Sequence, residues 1–420
     1  MGLRRGLQLA RVGSRILRRM RGGRRAVETH LSGRPGAGVP MPTFVQLRLT
    51  NLCNLRCKMC GQWGDTGIYR SLSSAPATTE GESEKSRIRE LLGLGRQLTL
   101  AEYGTLLDQI APFDPVVSLF GGEPLLYPDV VPLVREIKRR GLALTMITNG
   151  SRLEAVARDL VEAGIDVISV SVDGTPDVHD AIRGADGSFE RIAAGLRAVA
   201  GWRRKLGRAA PMTVAIFPVT ELNMDQIRPG IEALQALPVD TVNLGLRWFV
   251  PTDAGREYQR VMKEEFGVEA TSWTGFEFSW PGGADAARTP RMAQLVKLLE
   301  AIRRRRLLDE VKGRPWTSFV PDVAPRDVPA YFTEPGRTFG HDLCPVAWYF
   351  AQVEPDGDVC FCGDFPDYVI GNVRRESFRD VWTSDRATRF REKLAREPLP
   401  ICARCCGSYV YGRFARPAAR

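Results

Sequence analysis

The chain has 420 residues, 44% hydrophobic and 26% charged, a globular composition with room for about two to three domains. No uninterrupted apolar run approaches the ~18 residues of a membrane span, and nine clustered cysteines, an odd number, argue for metal sites in a reducing compartment over a secreted disulfide framework. The net charge of +10 does not mark a nucleic-acid binder: residues 1–40 hold ten arginines and one acid, Glu28, so the other 380 residues stand near +1.

Residues 3–20 place Leu9, Val12, Ile16 and Met20 at spacings of three and four, with Leu17 beside them and Arg4, Arg5, Arg11, Arg15, Arg18 and Arg19 around the rest. That is the pattern of a basic amphipathic helix. Two roles fit it. Residues 1–30 either dock reversibly on an anionic membrane surface, where each basic residue contributes roughly 1 kcal/mol at best, or form a solvated helix that caps the following domain. No apolar stretch follows Arg4-Arg5, so a signal peptide is rejected. The expected location is cytoplasmic, peripheral at the inner membrane face. Gly33 to Pro42 is a Gly/Pro-rich linker, which closes a first segment of residues 1–42.

The alternating run Phe44-Val45-Gln46-Leu47-Arg48-Leu49 predicts a strand, and Cys53, Cys57 and Cys60 follow it at CxxxCxxC spacing. The next cysteine is Cys344. Thiolates are soft ligands that select iron–sulfur clusters, zinc or copper(I). A 4Fe–4S cluster usually takes four cysteines, and structural zinc closes with four ligands. Three thiols with nothing nearby to finish the set imply a centre with an open position. They stand at the C-terminal end of a strand, where parallel α/β folds place their chemistry. A zinc knuckle completed by a distant ligand is the alternative.

The motif resembles the signature of the radical SAM superfamily. The resemblance implies a 4Fe–4S cluster held by Cys53, Cys57 and Cys60, its fourth iron chelated by S-adenosylmethionine (SAM). Reductive cleavage of SAM then yields a 5′-deoxyadenosyl radical, with an electron donor such as flavodoxin or ferredoxin. Where the family usually carries an aromatic residue before the last cysteine, packed near the adenine, this chain has Met59. A thioether is polarizable and also packs well on rings.

Residues 62–98 read as an exposed loop, a lid over the cluster, with a short helix near 86–94. Thr99 and Glu102 form a capping box for a helix near 100–110. Further strands are expected at 116–120, 143–148, 167–172, 212–218 and 239–247, alternating with helices at 128–140, 152–163, 188–206 and 223–236. This alternation means parallel βα units. With the first strand it makes an α/β fold, a partial (β/α)6 TIM-like barrel over residues 43–250.

The second strand ends in Gly121-Gly122-Glu123-Pro124. Glycines permit close backbone approach, and an acid beyond a strand end can bind a cation. Sixty residues after the cysteine motif, this turn resembles the superfamily's motif for gripping the methionyl ammonium of SAM. The resemblance also places ribose and carboxylate contacts on and just beyond the fourth strand, at Ser169, Ser171, Asp173 and Arg183. The plainer reading of the last two is a turn cap and a surface salt bridge.

Residues 251–341 are a linker or substrate region with an expected helix at 290–308. Trp248, Phe249, Trp273, Phe276, Phe278 and Trp280 either line a pocket or fill a core. Six cysteines then crowd the last 80 residues: Cys344, Cys360, Cys362, Cys402, Cys405 and Cys406. Glu354-Pro355-Asp356-Gly357-Asp358 is a hairpin turn signal that would bring Cys344 and Cys362 together, and Cys402-x-x-Cys405 completes a four-thiolate site. Zinc is one occupant of such a site. The pattern over residues 342–420 resembles the twitch form of the SPASM extension, a small cysteine-rich α+β domain. That resemblance implies an auxiliary 4Fe–4S cluster on Cys344, Cys362, Cys402 and Cys405. Cys360 and Cys406 are then spare, as packing residues, substitute ligands or thiols that give a hydrogen atom to a substrate radical.

The resemblance implies an oxidoreductase or epimerase that abstracts hydrogen from an unactivated carbon. The expected substrate is a carbohydrate or aminocyclitol-type small molecule or glycan. The alternative is a maturase that oxidises or crosslinks a ribosomally made peptide. The Arg-rich residues before the barrel do not look like a leader-binding winged domain, which tilts the expectation toward the small molecule. From another class, a zinc protein binding nucleic acid through its tail is disfavoured by the neutral body and the unclosed triplet.

Overall fold

The computed structural model describes residues 2–32, 38–69, 96–311, 316–321 and 323–409. From β1 (Phe44–Arg48), strands β2 (Val116–Phe120), β3 (Ala143–Thr148), β4 (Val167–Ser171), β5 (Met212–Val219) and β6 (Thr241–Leu246) pair in chain order, each parallel to the last. This is the expected α/β fold with a mostly parallel sheet, and each strand lies within two residues of its expected bounds. Residues Val116 to Leu119 of β2 are all buried, as strands covered on both faces should be. Along β5, buried residues alternate with half-exposed ones, so only one of its faces is sealed.

Helices connect these strands: α2 (Leu100–Ile110), α3 (Val130–Arg139), α4 (Leu153–Ala163), α5 (Pro176–Arg183), α6 (Ser188–Lys205) and α7 (Ile227–Gln235). The capping box forms at the start of α2, where Thr99 accepts from the Glu102 amide and returns its own N–H to Glu102 Oε2 at 2.7 Å. Helix α5 was not expected. Its signals are Pro176 at the first helical position and Gly184, left-handed at φ 66°, just past its end.

Two further differences position the site. Residues 251–341 are more than a linker: they fold into α8 (Thr252–Phe266), α9 (Pro290–Val311) and β7 (Trp316–Val320), which adds a parallel strand beyond β6. The cysteine-rich end does not form a separate sheet either. Strand β8 (Phe350–Val353) pairs parallel with the free side of β1, with Phe44 opposite Phe350, and β9 (Asp358–Cys360) and β10 (Val369–Asn372) continue antiparallel. The predicted hairpin turn links β8 to β9, with Gly357 at φ 90°. One ten-stranded sheet therefore carries both cysteine groups.

The basic segment forms a long helix, α1 (Gly2–Leu31). Its second half caps the barrel's lower end: Val27 is fully buried, Arg19 pairs with Asp114 ahead of β2, and a Cβ on Gly23 would collide with Thr43 ahead of β1. Side chains of residues 2–15 and the expected lid helix near 86–94 lie outside the described residues. Among those described, no helix is long and apolar enough to cross a membrane.

Candidate active site

The C-terminal strand ends open into a solvent-connected cleft of about 320 Å³. Cys53, Cys57, Met59 and Cys60 form one wall, Gly121 and Gly122 cross its floor, and Trp248 and Phe276 stand among its apolar lining. Of the other expected residues, Ser171 and Arg183 reach the cleft, whereas Glu123, Pro124, Ser169 and Asp173 stand behind its wall. The aromatics divide: Phe249, Trp273 and Trp280 are core, while Trp248 is 37% exposed.

N–H groups surround the three thiols. Cys53 Sγ accepts from the Leu55 amide at 3.5 Å and Asn149 Nδ2 at 3.8 Å. Cys60 Sγ accepts from the amides of Gln62 and Trp63 at 3.4 and 3.5 Å. Cys57 Sγ accepts from Arg183 Nη1 at 3.6 Å. Such donors suit a sulfur that carries negative charge. Burial, helped by the nearby Cys57, Glu123 and Cys60, pushes the Cys53 thiol up to about 12, and burial raises Cys57 against the pull of Arg183. Ionisation of Cys53 and Cys57 therefore needs a cationic partner inside the cleft, and metal ligation supplies one while releasing the proton. Among the described residues, no three ligating side chains converge on a single-ion position. The donor set fits an iron–sulfur cluster.

The paired glycines have a steric reason. The amides of Gly122 and Glu123 donate to the carbonyls of Thr50 and Leu52, both at 2.7 Å, so the β2 turn lies directly on the loop that carries Cys53. Gly121 has φ +146°, and a Cβ on Gly122 would stand 2.1 Å from Leu52 O. Gly122→Ala should displace that loop, costing about 3 kcal/mol or more. The urea midpoint and the iron retained per chain should fall together; normal iron at normal stability would refute the packing argument.

Glu123 corrects an expectation. Its carboxylate is fully buried and accepts from Thr148 Oγ1 at 2.6 Å, the Asn149 amide at 2.7 Å and the Leu125 amide at 2.9 Å. It ties the β2 turn to the end of β3 and does not face the cleft as a cation acceptor.

Arg183 ends α5 and pairs with Asp173, which is 0% exposed, through Nε and through Nη2 at 3.0 Å. This is a buried pair, not the surface bridge of the plainer reading. Burial opposes the guanidinium charge, but Asp173 and the Cys57 thiol more than offset it and displace the pKa upward. His179 backs the pair as a neutral ring. Its Nδ1 accepts from the Asp173 amide at 3.2 Å, and burial pushes its pKa down to about 3.

In the second cysteine group, Cys344 and Cys402 are close enough to shift each other's ionisation, and Cys362 and Cys405 both raise the Cys402 thiol. The four expected auxiliary ligands therefore lie within electrostatic reach of one another. Cys360 is elsewhere. Its thiol is 1% exposed, lies 3.9 Å from Glu354 Oε1, and is absent from the cleft lining, so its placement does not suit a hydrogen-atom donor. The side chain of Cys406 lies outside the described residues. Asn149, Thr220 and Arg247 also line the cleft and were missed, although each stands just past a legible strand end.

A model of the radical SAM superfamily matches residues 47–228, and one of an iron–sulfur cluster-binding domain, SPASM, matches residues 344–406. The chain belongs to the radical SAM superfamily. This radical SAM enzyme uses SAM and a 4Fe–4S cluster, and its SPASM domain carries auxiliary iron–sulfur chemistry. It is 26% identical to pre-heme d1 synthase of Dinoroseobacter shibae over 379 residues, 88% of this chain and 79% of the relative. It is 25% identical to PqqA peptide cyclase of Ruegeria pomeroyi over 380 residues, 89% of this chain and 81% of the relative. The crystal structure of Streptococcus suis SuiB bound to precursor peptide SuiA shares the fold, with TM-score 0.51 at 12% identity over 89% of this chain and 72% of that one.

Proposed function

We propose that this enzyme is a maturase that removes hydrogen from an unactivated carbon of a ribosomally made peptide, oxidising or crosslinking it. The supporting observation is the cleft itself: it opens to solvent beside the cysteine loop, with Ile216, Leu246, Trp248 and Phe276 in its wall to meet an apolar part of a peptide. The likeness to PqqA peptide cyclase and to peptide-bound SuiB points the same way. The carbohydrate expectation, and epimerisation with it, draws no support from these relatives.

In this reading Cys53, Cys57 and Cys60 hold the catalytic cluster. Gly121 and Gly122 let the cofactor approach the backbone, Met59 packs near the adenine, and Ser171 and Arg183 meet its polar groups. When bound, the cluster and SAM supply a 5′-deoxyadenosyl radical. The chain's own part is positional: Trp63 and Phe276 help to form a wall that keeps water from the reacting carbon. Cys344, Cys362, Cys402 and Cys405 hold an electron acceptor on the same sheet. A donor such as flavodoxin or ferredoxin would deliver the starting electron, and the basic first half of α1 is the candidate contact to an anionic membrane surface.

A second reading, a tetrapyrrole substrate, rests on the match to pre-heme d1 synthase along 88% of this chain. The test offers reconstituted enzyme, SAM and reductant to synthetic peptides translated from the short reading frames that flank its gene. The expected result is loss of two hydrogens from one peptide, matched by 5′-deoxyadenosine. Coproporphyrin altered while every peptide stays intact would replace the peptide reading with the tetrapyrrole one.

A further inference from the structure

We infer that Arg247 is the specificity residue of this cleft and binds a carboxylate of the substrate. The inference rests on the peptide reading for its source, an Asp or Glu side chain or a C-terminal carboxylate.

Arg247 is the first residue past β6 and is fixed before any ligand arrives. Its amide donates to Val219 O at 3.0 Å, and its carbonyl accepts from Tyr331 Oη at 3.1 Å. Its guanidinium lies 3.8 Å from the centre of the Phe278 ring, and Nη1 donates to Glu221 Oε1 at 2.6 Å. Those contacts use one end of the fork. A guanidinium has five N–H donors in rigid geometry, and Nε and Nη2 have no hydrogen bond among the described residues. Unlike the sealed, unpartnered nitrogens of Arg48, they are not shut off from solvent. The residue lines the cleft, and its side chain keeps 13% of its surface exposed. Arg183, the other arginine of the wall, spends three donors on Asp173 and Cys57 and is the one assigned to the cofactor.

The surroundings decide the ligand's chemistry. Leu246, Trp248, Ile216 and Phe276 make much of the wall apolar. A charge enters such a space only when paired, and a carboxylate matches an arginine fork bidentately. Glu221 holds the fork and competes for it, which sets the sign of a second variant.

Cluster-reconstituted, SAM-loaded protein is immobilised and offered a random peptide library, either with free carboxylates or fully methyl-esterified. Wild type should retain the acid library about tenfold or more over the ester, the worth of one charge-assisted pair. Arg247→Gln should lose that preference, whereas Glu221→Gln, which removes the competing carboxylate, should increase it. Iron per chain verifies that both variants are loaded. Absence of an acid preference in wild type, or its persistence in Arg247→Gln, overturns the inference. If no peptide is retained at all, the peptide reading fails separately. Coproporphyrin III against its tetramethyl ester then decides: an acid preference that Arg247→Gln abolishes supports Arg247, and equal binding of the two overturns it.

Discussion

Replacing Cys53, Cys57 and Cys60 together with alanine should take the reconstituted protein from about eight irons per chain to about four, and 5′-deoxyadenosine formation from substantial to none. The two thiol groups are anchored independently. The first lies on the loop after β1, held from outside by the amide of Lys58 on Ile182 O at 2.9 Å and by the β2 turn at 2.7 Å. None of those bonds involves a thiol, so the loop's backbone survives the substitution. The second group belongs to segments around β8 and β9, with Cys344 and Cys402 close enough to shift each other's ionisation. Four irons left in the triple variant would establish two separable sites. Loss of all iron would mean that the groups serve one site. If wild type instead holds four irons, the variant none, and zinc sits on the second group, the electron-acceptor role is gone while the radical chemistry stands.

The barrel was legible because local rules set it. Apolar runs of five to eight residues that end in Gly-Gly, Asn-Gly or Asp-Gly state where a strand stops, and Thr99 with Glu102 states where a helix begins. The cleft follows from those strand ends. The pairing of β8 with β1 was not legible, since it joins residues about 300 positions apart through backbone bonds that leave no side-chain signature. Strand β7 was hidden because Thr317 and Ser318 interrupt the apolar residues of Trp316–Val320 and none of those glycine turns marks its end. At the site, cysteine spacing identified the residues that gather, but not the direction in which Glu123 turns. A carboxylate at a strand end reads the same in sequence whether it faces a ligand or, as here, satisfies Thr148 and two amides. Arg183 shows the same limit: sequence displays its charge, and only the fold displays Asp173 ten residues back.

That buried pair separates stability from chemistry. Asp173→Ala should destabilise the metal-free protein by about 3–5 kcal/mol, because it strands Arg183, only 9% exposed, without a counter-charge. Asp173→Asn should cost nearly as much, since shape is retained and charge is not. The double variant Asp173→Leu with Arg183→Met removes both charges at similar volume and should recover much of the loss. Recovery of the urea midpoint should not bring back 5′-deoxyadenosine formation. Cys57 still lacks the N–H donor that stood 3.6 Å from its sulfur, and the cleft wall still lacks its cation. An Asp173→Ala protein that unfolds with wild type would show that the pair is solvated. A double variant that cleaves SAM at the wild-type rate would reduce Arg183 to a packing element. Stability restored while cleavage stays lost would show that the guanidinium acts in the cleft, on the cluster loop or the cofactor, beyond its pairing with Asp173.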